Sequence, residues 1–347
     1  MLLQKILSLS KEGKMKLSLS GIFMVTVSVM LAAIGAEAKI LKIGEAQIVS
    51  HPALDKDAEG FKAALTEEGF IEGKNVEYDL QNAQGEQPNC AIIARKFEDD
   101  QVDLIHAIST PVAQANVKVS KKIPIVYSSV TDPVATGIVP KEGETGTNVT
   151  GVSDRWPVDL QQKVYMEMAP SAKRWGTIYN PGDANVAVHI KIIKDTISEM
   201  GGQFVEAHVA NSSEIMQAAQ SLVGRVDAIH ITSDNTVVSG FEALAKVCNQ
   251  NKIPLFAGDR DSVPRGAIAA YALDYYQVGY TAGKQAARIL KGEDPGKVPA
   301  GRAEGYSLWV DLKHAKEQGL TLPNALIEKT VDRLWDAEGN LTKGKEE

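Results

Sequence analysis

Short β-rich runs alternate with amphipathic helical runs from Lys39 onward, and this alternation restricts the fold more than any other feature of the sequence. In the first half, the β-rich runs occupy residues 41–48, 75–80, 104–108 and 124–128, and the helical patterns occupy residues 55–68, 87–99 and 111–119. Strands that are connected through helices usually pair in parallel. The pattern therefore predicts an α/β fold with helices on both faces of a parallel sheet.

The same alternation starts again after a junction near residues 151–156. Helical patterns at 158–168, 184–200, 212–223 and 237–250 alternate with β-rich runs at 175–179, 203–209, 228–232, 254–257 and 267–271, and a long helical pattern follows at 275–290. A chain of 347 residues is also too long for one ordinary domain. We therefore predict two doubly wound parallel-sheet lobes of similar design, followed by a polar tail (336–347) that frays.

The first 38 residues are typical of a secretory signal peptide. Lys14 and Lys16 belong to a basic start, residues 17–33 carry no charge, and Ala36 and Ala38 are the small residues that signal peptidase requires. We expect cleavage near Ala38 and a periplasmic mature protein that is not embedded in the membrane.

A membrane anchor is the alternative interpretation of this segment. It is weaker, because the apolar run is short for a membrane span and a cleavage site follows it at once. The start codon stays open between Met1 and Met15, because Met15 and Lys16 open a compact signal by themselves.

Charge and cysteine content exclude several other classes of protein. The chain has 37 Lys and Arg against 44 Asp and Glu, a net charge of −7, whereas nucleic-acid binding needs surplus basic residues. Two cysteines, Cys90 and Cys248, are too few for a disulfide scaffold or a Cys-based zinc module. They lie in helical patterns of different predicted lobes, so we expect two buried free thiols despite an oxidising compartment.

Polar residues follow the predicted strands, and the carboxyl ends of parallel strands are where ligands bind in open α/β sheets. The first lobe offers mainly amide and hydroxyl groups there, and the second lobe offers carboxylates. The candidate ligand-binding residues of the first lobe are Gln47, Ser50, Ser109, Thr110, Ser129, Thr131 and Asp132. Those of the second lobe and its last strand are Asn180, Asp234, Asn235 and Asp274.

The difference between the two sets suggests the chemistry of the ligand. Ser109 and Thr110 precede a helix that has Pro111 in its first turn, and free N–H groups at a helix start suit a carboxylate. Asp234 and Asp274 suit an ammonium group. A zwitterionic amino acid held between the lobes would use both. The alternative is that each of these residues only caps a helix or forms a turn.

Signals for cofactors and catalysis are absent from the sequence. It has no Gly-x-Gly-x-x-Gly after the first strand, no phosphate-binding loop and no Gly-x-Ser-x-Gly motif. His51, His106 and His230 could form a zinc site only if three separate segments met, so we expect no metal, no cofactor and no catalytic residues. We interpret Asp259-Arg260-Asp261 as a locally paired loop.

Several long runs of the sequence form an ordered set of motifs. They are QIVSHPALD, ISTPVAQ, VYSSVTDPVATGIV, GTNVTGVSD, SDNTVVSGFEAL and ALDYYQVGYTAGKQAARILKGEDPGKVP. Together they resemble the family of ABC-transporter substrate-binding proteins, in the branch whose members bind tryptophan, tyrosine or related amino acids. The resemblance extends from about residue 39 to residue 333.

This resemblance implies a type I periplasmic-binding-protein fold, in which two lobes joined by three crossovers close around a ligand. It implies a first lobe of residues 39–152 plus 275–304 and a second lobe of residues 153–274 plus 305–335. The matching motifs support the candidate residues named above. The sequence departs from the family pattern at two places. The family often has Ala where this chain has Ser109, and the loop YNPGDANVAV around Asn180 differs from the Ser- or Asn-rich version that is common there.

The resemblance also implies partners that the residues themselves do not show. These are an ABC permease and its ATPase subunit, which would receive an amino acid, aromatic or large and apolar, from a monomeric binding protein. Two alternatives are a sensory protein that presents its ligand to a membrane receptor and an exported enzyme that uses the same cleft. A regulator with this fold would need a helix-turn-helix segment where this chain has its predicted signal.

Overall fold

Two separate sheets organise the chain. The computed structural model describes residues 39–324, 327 and 331–344, with a compact unit that begins at Leu41. The predicted signal peptide (1–38) lies outside the described residues. The strands are β1 (Leu41–Gln47), β2 (Val76–Asn82), β3 (Leu104–Ile108), β4 (Ile125–Val130), β5 (Val149–Ser153), β6 (Arg174–Tyr179), β7 (Gln203–His208), β8 (Ala228–Ile231), β9 (Leu255–Ala257), β10 (Ala269–Ala272), β11 (Gly301–Arg302), β12 (Ser307–Asp311), β13 (Arg333–Trp335) and β14 (Leu341–Lys343).

Helices connect these strands on both faces of each sheet. They are α1 (Pro52–Glu67), α2 (Gln87–Asp99), α3 (Thr110–Val119), α4 (Val158–Met168), α5 (Val186–Glu199), α6 (Ile215–Leu222), α7 (Asn235–Ser239), α8 (Phe241–Asn251), α9 (Tyr275–Leu290) and α10 (Leu312–Glu317). None of the helices in the described part of the chain is both long and apolar enough to span a membrane.

The first sheet has the strand order β11-β5-β4-β3-β1-β2, and all of its pairings are parallel. The register pairs Gln47, the last residue of β1, with Ile108, the last residue of β3. The loops that follow these strands therefore start at the same edge of the sheet. The interior strands β3 and β4 are buried along their whole length, as expected of a parallel sheet that is covered on both faces.

The second sheet has the order β14-β13-β12-β10-β9-β8-β6-β7. Its strands from β6 to β10 are parallel, whereas β12 runs antiparallel to β10 and β14 runs antiparallel to β13. The prediction of an α/β fold with two doubly wound lobes is confirmed. The antiparallel edge was not predicted, because the segment after residue 304 has no regular apolar period.

Three details differ from the sequence-based expectation. The junction near residues 151–156 begins as a buried strand, β5, which pairs with β4. The helical pattern at 237–250 is broken at Gly240 into α7 and α8. The polar segment after Trp335 was expected to fray, but its described part returns as β14 and pairs with β13.

Helix α9 crosses back to the first lobe and packs against α1 at very short range. The approach is closest where glycines face the opposing backbone, at Gly60 of α1 and at Gly279 of α9. A side chain at either position would meet main-chain atoms of the other helix. The α1–α9 pair therefore holds the segment that follows β10 firmly against the first sheet.

The two thiols are buried and free, as predicted. Cys90 lies on α2 beside the first sheet, and Cys248 lies on α8 beside the second. Burial raises the pKa of both thiols, to about 11 for Cys90. Both therefore stay protonated and unreactive at neutral pH.

Candidate ligand-binding cleft

A cavity lies where the carboxyl ends of the two sheets face each other. It is small, with a volume of about 20 Å³. The residues that line it lie at or after the carboxyl ends of β1, β4, β5, β8, β9 and β10, or in the first turns of helices α1, α5, α7 and α9. They are His51, Ala53, Leu54, Ser129, Thr131, Asp154, Asn185, Ser233, Asn235, Val238, Asp259 and Tyr275. This is the position at which open parallel sheets bind ligands.

Contacts between the two lobes close the cleft around this cavity. Nε2 of His51 lies 3.4 Å from Oδ1 of Asn235, and the side chain of Gln87 donates to the carbonyl oxygen of Gly182 at 2.8 Å. Nζ of Lys56 lies 2.9 Å from a carboxylate oxygen of Asp261. These three contacts hold the loops that follow the two sheets against each other around the cavity.

Several buried polar atoms of the lining residues have no hydrogen-bond partner among the described residues. They are Nδ1 of His51, Oδ1 of Asp154, Oδ1 of Asn185 and Oγ of Ser233. Burying such atoms without a partner costs free energy, on the order of 1–3 kcal/mol each. A concentration of them around one cavity indicates a site that is built for a polar ligand.

Asp154 supplies the strongest acceptor of this set. It follows β5 directly, and its Oδ2 accepts a hydrogen bond from the hydroxyl of Tyr275 at 2.8 Å. Its Oδ1 is the atom that has no partner within the described chain. Burial raises the pKa of Asp154 to about 6, so the group is still mostly a carboxylate at neutral pH. The arrangement places a negative charge beside the cavity and suits a cationic group.

A second carboxylate, Asp259, lines the cavity after β9 of the second sheet. It caps the single helical turn Arg260–Ser262 by accepting from the backbone N–H of Ser262 at 2.9 Å and from its hydroxyl at 2.8 Å. Burial raises its pKa to about 6, and the neighbouring charge of Asp261 acts in the same direction. Two acids in one cavity make its electrostatics favourable for a positive charge.

The first lobe contributes hydroxyl groups on strained backbone. Ser129 has φ +52° and Ser109 has φ +89°, a region that residues other than glycine rarely adopt. The hydroxyls of Ser109 and Thr110 are buried and have no partner in the described part of the protein. Strain of this kind persists where the surrounding structure fixes it, which is common at binding sites.

The structure brings some of the predicted residues to the cavity and places others elsewhere. Ser129, Thr131 and Asn235 line the cavity. Ser109 and Thr110 are buried at the start of α3 but are outside the lining.

Gln47, Ser50 and Asp132 form local contacts instead. The side chains of Gln47 and Ser50 both donate to the carboxylate of Asp55 on α1, at 3.1 and 2.9 Å. Asp132 pairs with Arg155 at 3.0 Å and accepts from the backbone N–H of Ala135 at 2.9 Å. None of these three predicted residues lines the cavity.

The two acids that the sequence assigned to an ammonium group are already paired within the protein. Asp234 caps α7 by accepting from the N–H of Val237 at 2.8 Å, and its other oxygen accepts from the N–H of Asn180 at 2.6 Å. Burial raises the pKa of Asp234 to about 7. The carboxylate of Asp274 caps α9 and lies 2.7 Å from the guanidinium of Arg260.

Asn180 also has local partners for its side chain. Its amide nitrogen donates to Oγ1 of Thr236 at 3.1 Å, and its Oδ1 accepts from the N–H of Gly182 at 2.9 Å. These contacts fix the loop after β6. Asn180 does not line the cavity, whereas Asn185, Ser233 and Asp259 do.

Comparison with known proteins places this cleft in a family. The sequence profile of the ABC transporter substrate binding protein family matches residues 42–333, which is most of the chain. The chain belongs to this family. The recognition made from the sequence motifs is therefore confirmed.

Individual relatives agree with this assignment. The chain is 41% identical over 299 residues to the tyrosine-binding protein of Clostridioides difficile, which covers 85% of this chain and 87% of the relative. A crystal structure of a conserved domain protein from Vibrio cholerae has a TM-score of 0.82 and 38% identity, and covers 84% of this chain and 99% of its own. A domain from Streptococcus pneumonia in complex with L-Trp has a TM-score of 0.79 and 29% identity, over 84% of this chain and 98% of its own.

Proposed function

We propose that this protein binds an aromatic amino acid between its two lobes and delivers it to an ABC permease in the membrane. The observation that carries the proposal is the cavity, in which a partly unsatisfied carboxylate, Asp154, lies among further buried polar atoms. The names of two relatives support it, since one is a tyrosine-binding protein and the other is a complex with L-Trp.

The chemistry of the cavity fits the α-carbon end of an amino acid. The ammonium group would donate to Oδ1 of Asp154, and Asp259 would add a second negative charge to the same cavity. The carboxylate would accept from the hydroxyl of Ser233, and we keep the buried hydroxyls of Ser109 and Thr110 as proposed further donors. Each end is then paired, which matters because a buried unpaired charge costs several kcal/mol.

We propose that the two sheets mark two lobes that move against each other. The first lobe would comprise residues 39–152 plus 275–304, and the second residues 153–274 plus 305–335. This division is supported by sheet membership, because β1 to β5 and β11 share one sheet and β6 to β10 and β12 share the other. The chain crosses between them after β5, after β10 and after β11, and these crossovers would form the hinge.

We also propose export to the periplasm with removal of residues 1–38, action as a monomer, and an ATPase subunit as partner of the permease. The sequence features of the signal support the first of these proposals. Family membership supports the transport partners. N-terminal sequencing of the cell-produced protein should begin near Lys39.

Ligand binding is expected to stabilise the protein against thermal unfolding. A ligand present at 100 times its Kd should add about 2.7 kcal/mol to the free energy of unfolding. A thermal-shift screen of the mature protein against the twenty amino acids measures this effect, and titration calorimetry then gives Kd. We expect the largest shifts with tyrosine or tryptophan. A screen in which no amino acid raises the unfolding temperature would contradict the proposed function.

The affinity for the amino acid is expected to fall below about pH 6. The raised pKa of Asp154, about 6, means that the unliganded protein takes up a proton there as the pH decreases. A neutral acid cannot pair with the ligand's ammonium group, so Kd should rise about tenfold between pH 7 and pH 5 for one titrating acid. Calorimetry at pH 5, 6 and 7 measures this. Equal Kd values over that range would contradict a charged Asp154 as the partner.

A further inference from the structure

A buried hydrogen-bonded cluster lies directly behind the cavity in the first lobe. Its centre is Asp57 on α1, which is fully buried and is not a lining residue. The carboxylate accepts from the hydroxyl of Ser128 at 2.8 Å through one oxygen and from the hydroxyl of Ser129 through the other. Of these two serines, Ser129 is the one that lines the cavity.

The groups around Asp57 hold it in place. From β3, Nε2 of His106 lies 2.8 Å from Oγ of Ser128 and 3.6 Å from a carboxylate oxygen of Asp57. The other ring nitrogen of His106 lies 3.1 Å from Glu45 on β1. Glu45 in turn lies 3.2 Å from Nζ of Lys62.

Two aromatic residues complete the surroundings of this cluster. The ring of Phe61 stacks on the ring of His106, with centroids 3.6 Å apart. Burial raises the pKa of the Tyr275 phenol on α9, and the negative charge of Asp57 acts in the same direction. Asp57 therefore faces Glu45 and His106 from the sheet and Tyr275 from the neighbouring helix, with Lys62 balancing the second carboxylate.

Hydrogen-bond accounting fixes the direction of the bond between Ser129 and Asp57. Burial raises the pKa of Asp57 to about 6, so at neutral pH the group is mainly a carboxylate and has no proton to give. Ser129 must then be the donor. A serine hydroxyl has one proton and two lone pairs, so Oγ of Ser129 has only acceptor capacity left for the cavity.

We propose that Asp57 is a positioning residue that fixes the hydroxyl proton of Ser129, so that Ser129 receives the ammonium group of the ligand beside Asp154. This inference rests on the proposed function, in which the ligand is an amino acid. It gives Ser129, one of the first-lobe candidates from the sequence, a place at the ammonium end of the ligand. The left-handed backbone of Ser129, φ +52°, is consistent with a side chain whose orientation is imposed by its partner.

A thermodynamic cycle between protein and ligand tests the inference. Tyrosine is compared with 3-(4-hydroxyphenyl)propionate, which lacks the amino group, and with tyramine, which lacks the carboxylate. Binding is measured by calorimetry or by competition at pH 7.5. In Asp57→Asn, the amide can donate to Ser129 and turn its hydroxyl proton towards the cavity. Kd for tyrosine and tyramine should then rise about tenfold more than Kd for the propionate.

If the wild type prefers tryptophan, the matching set is tryptophan, indole-3-propionate and tryptamine. If Asp57 had a purely structural role, its replacement by Asn would raise Kd for all three ligands of a set by the same factor. That result, in a variant whose unfolding temperature shows that it is folded, would overturn the inference.

Two serine variants keep the test decisive if Asp57→Asn does not fold. In Ser129→Ala, as in Asp57→Asn, Kd for tyrosine and tyramine should rise more than Kd for the propionate. Ser128→Ala is the matched control, since Ser128 donates to the same carboxylate but does not line the cavity. It should change Kd for all three ligands by one common factor.

These measurements distinguish a failure of the inference about Asp57 from a failure of the proposed function. Equal losses for the three ligands in Ser129→Ala would overturn the role of Ser129 and Asp57 while leaving amino-acid binding intact. A wild-type protein that binds no amino acid would overturn both.

Discussion

Replacing Asp154 by Asn is expected to raise Kd for the bound amino acid by about 30-fold to several thousand-fold, or about 2–5 kcal/mol. The amide keeps the shape of the side chain and can still accept from the hydroxyl of Tyr275, whose bond to Oδ2 is 2.8 Å long in the wild type. It removes the negative charge at Oδ1, the buried atom without a partner in the described chain. The ligand's ammonium group would then be buried without its counter-charge. Titration calorimetry of the folded variant measures the loss.

Two other acids serve as controls for this prediction. Asp132→Asn should change Kd by no more than about fivefold, because Asp132 pairs with Arg155 outside the cavity lining. Asp274→Asn should lower the unfolding temperature, since Asp274 caps α9 and pairs with Arg260. If Asp274→Asn lost more affinity than Asp154→Asn, the ammonium would belong to Asp274, as the sequence first suggested.

The sequence predicted the architecture well where elements have a strong apolar period. The bounds of α2, β3, α4 and α9 agree with the structure to the residue, because each is a regular run between clear polar ends. Strand β5 was not predicted, since Val149–Ser153 is short and contains Gly151, although the sheet buries it completely. Its burial comes from its neighbour β4, which no local pattern of the sequence reveals.

The sequence predicted that the candidate site lies at the carboxyl ends of the strands, but it did not predict most of the side chains that line the cavity. Asp154 was missed because it follows β5, and a residue cannot be placed at a strand end when the strand itself is not recognised. Asp234 and Asp274 were identified at true helix starts, but there the carboxylate caps the helix, which is the alternative that the sequence left open. Periodicity identifies the edge of a sheet, whereas the partner of each polar atom depends on tertiary packing.

Asn185 and Ser233 are two further lining residues that the sequence pattern could not identify. Both line the cavity and each has a buried atom without a partner among the described residues. In the sequence they are ordinary loop residues, since any Asn or Ser after a strand can serve as a cap or a turn. Only the convergence of loops from both lobes distinguishes them, and convergence is a property of the fold.

Replacing Gly279 by Ala is expected to destabilise the protein by about 2–3 kcal/mol. An added Cβ would lie 1.8 Å from the carbonyl oxygen of Asp57 and 2.6 Å from its carbonyl carbon, so α1 and α9 would have to separate. Alanine favours a helix by about 1 kcal/mol over glycine, which offsets only part of this cost. Separation would also shift Asp57 and with it the hydroxyl of Ser129. The urea concentration at the midpoint of unfolding should therefore fall, and Kd for the amino acid should rise.

Gly301→Ala is the matched control, because a Cβ there would meet no described atom within 4 Å. It should leave the free energy of unfolding within about 0.5 kcal/mol of the wild type. If Gly279→Ala were as stable as Gly301→Ala, the close contact of α1 with α9 would not be needed for folding. If the Gly279 variant were destabilised but bound its amino acid with unchanged Kd, the α1–α9 contact would support the lobe without setting the position of Ser129.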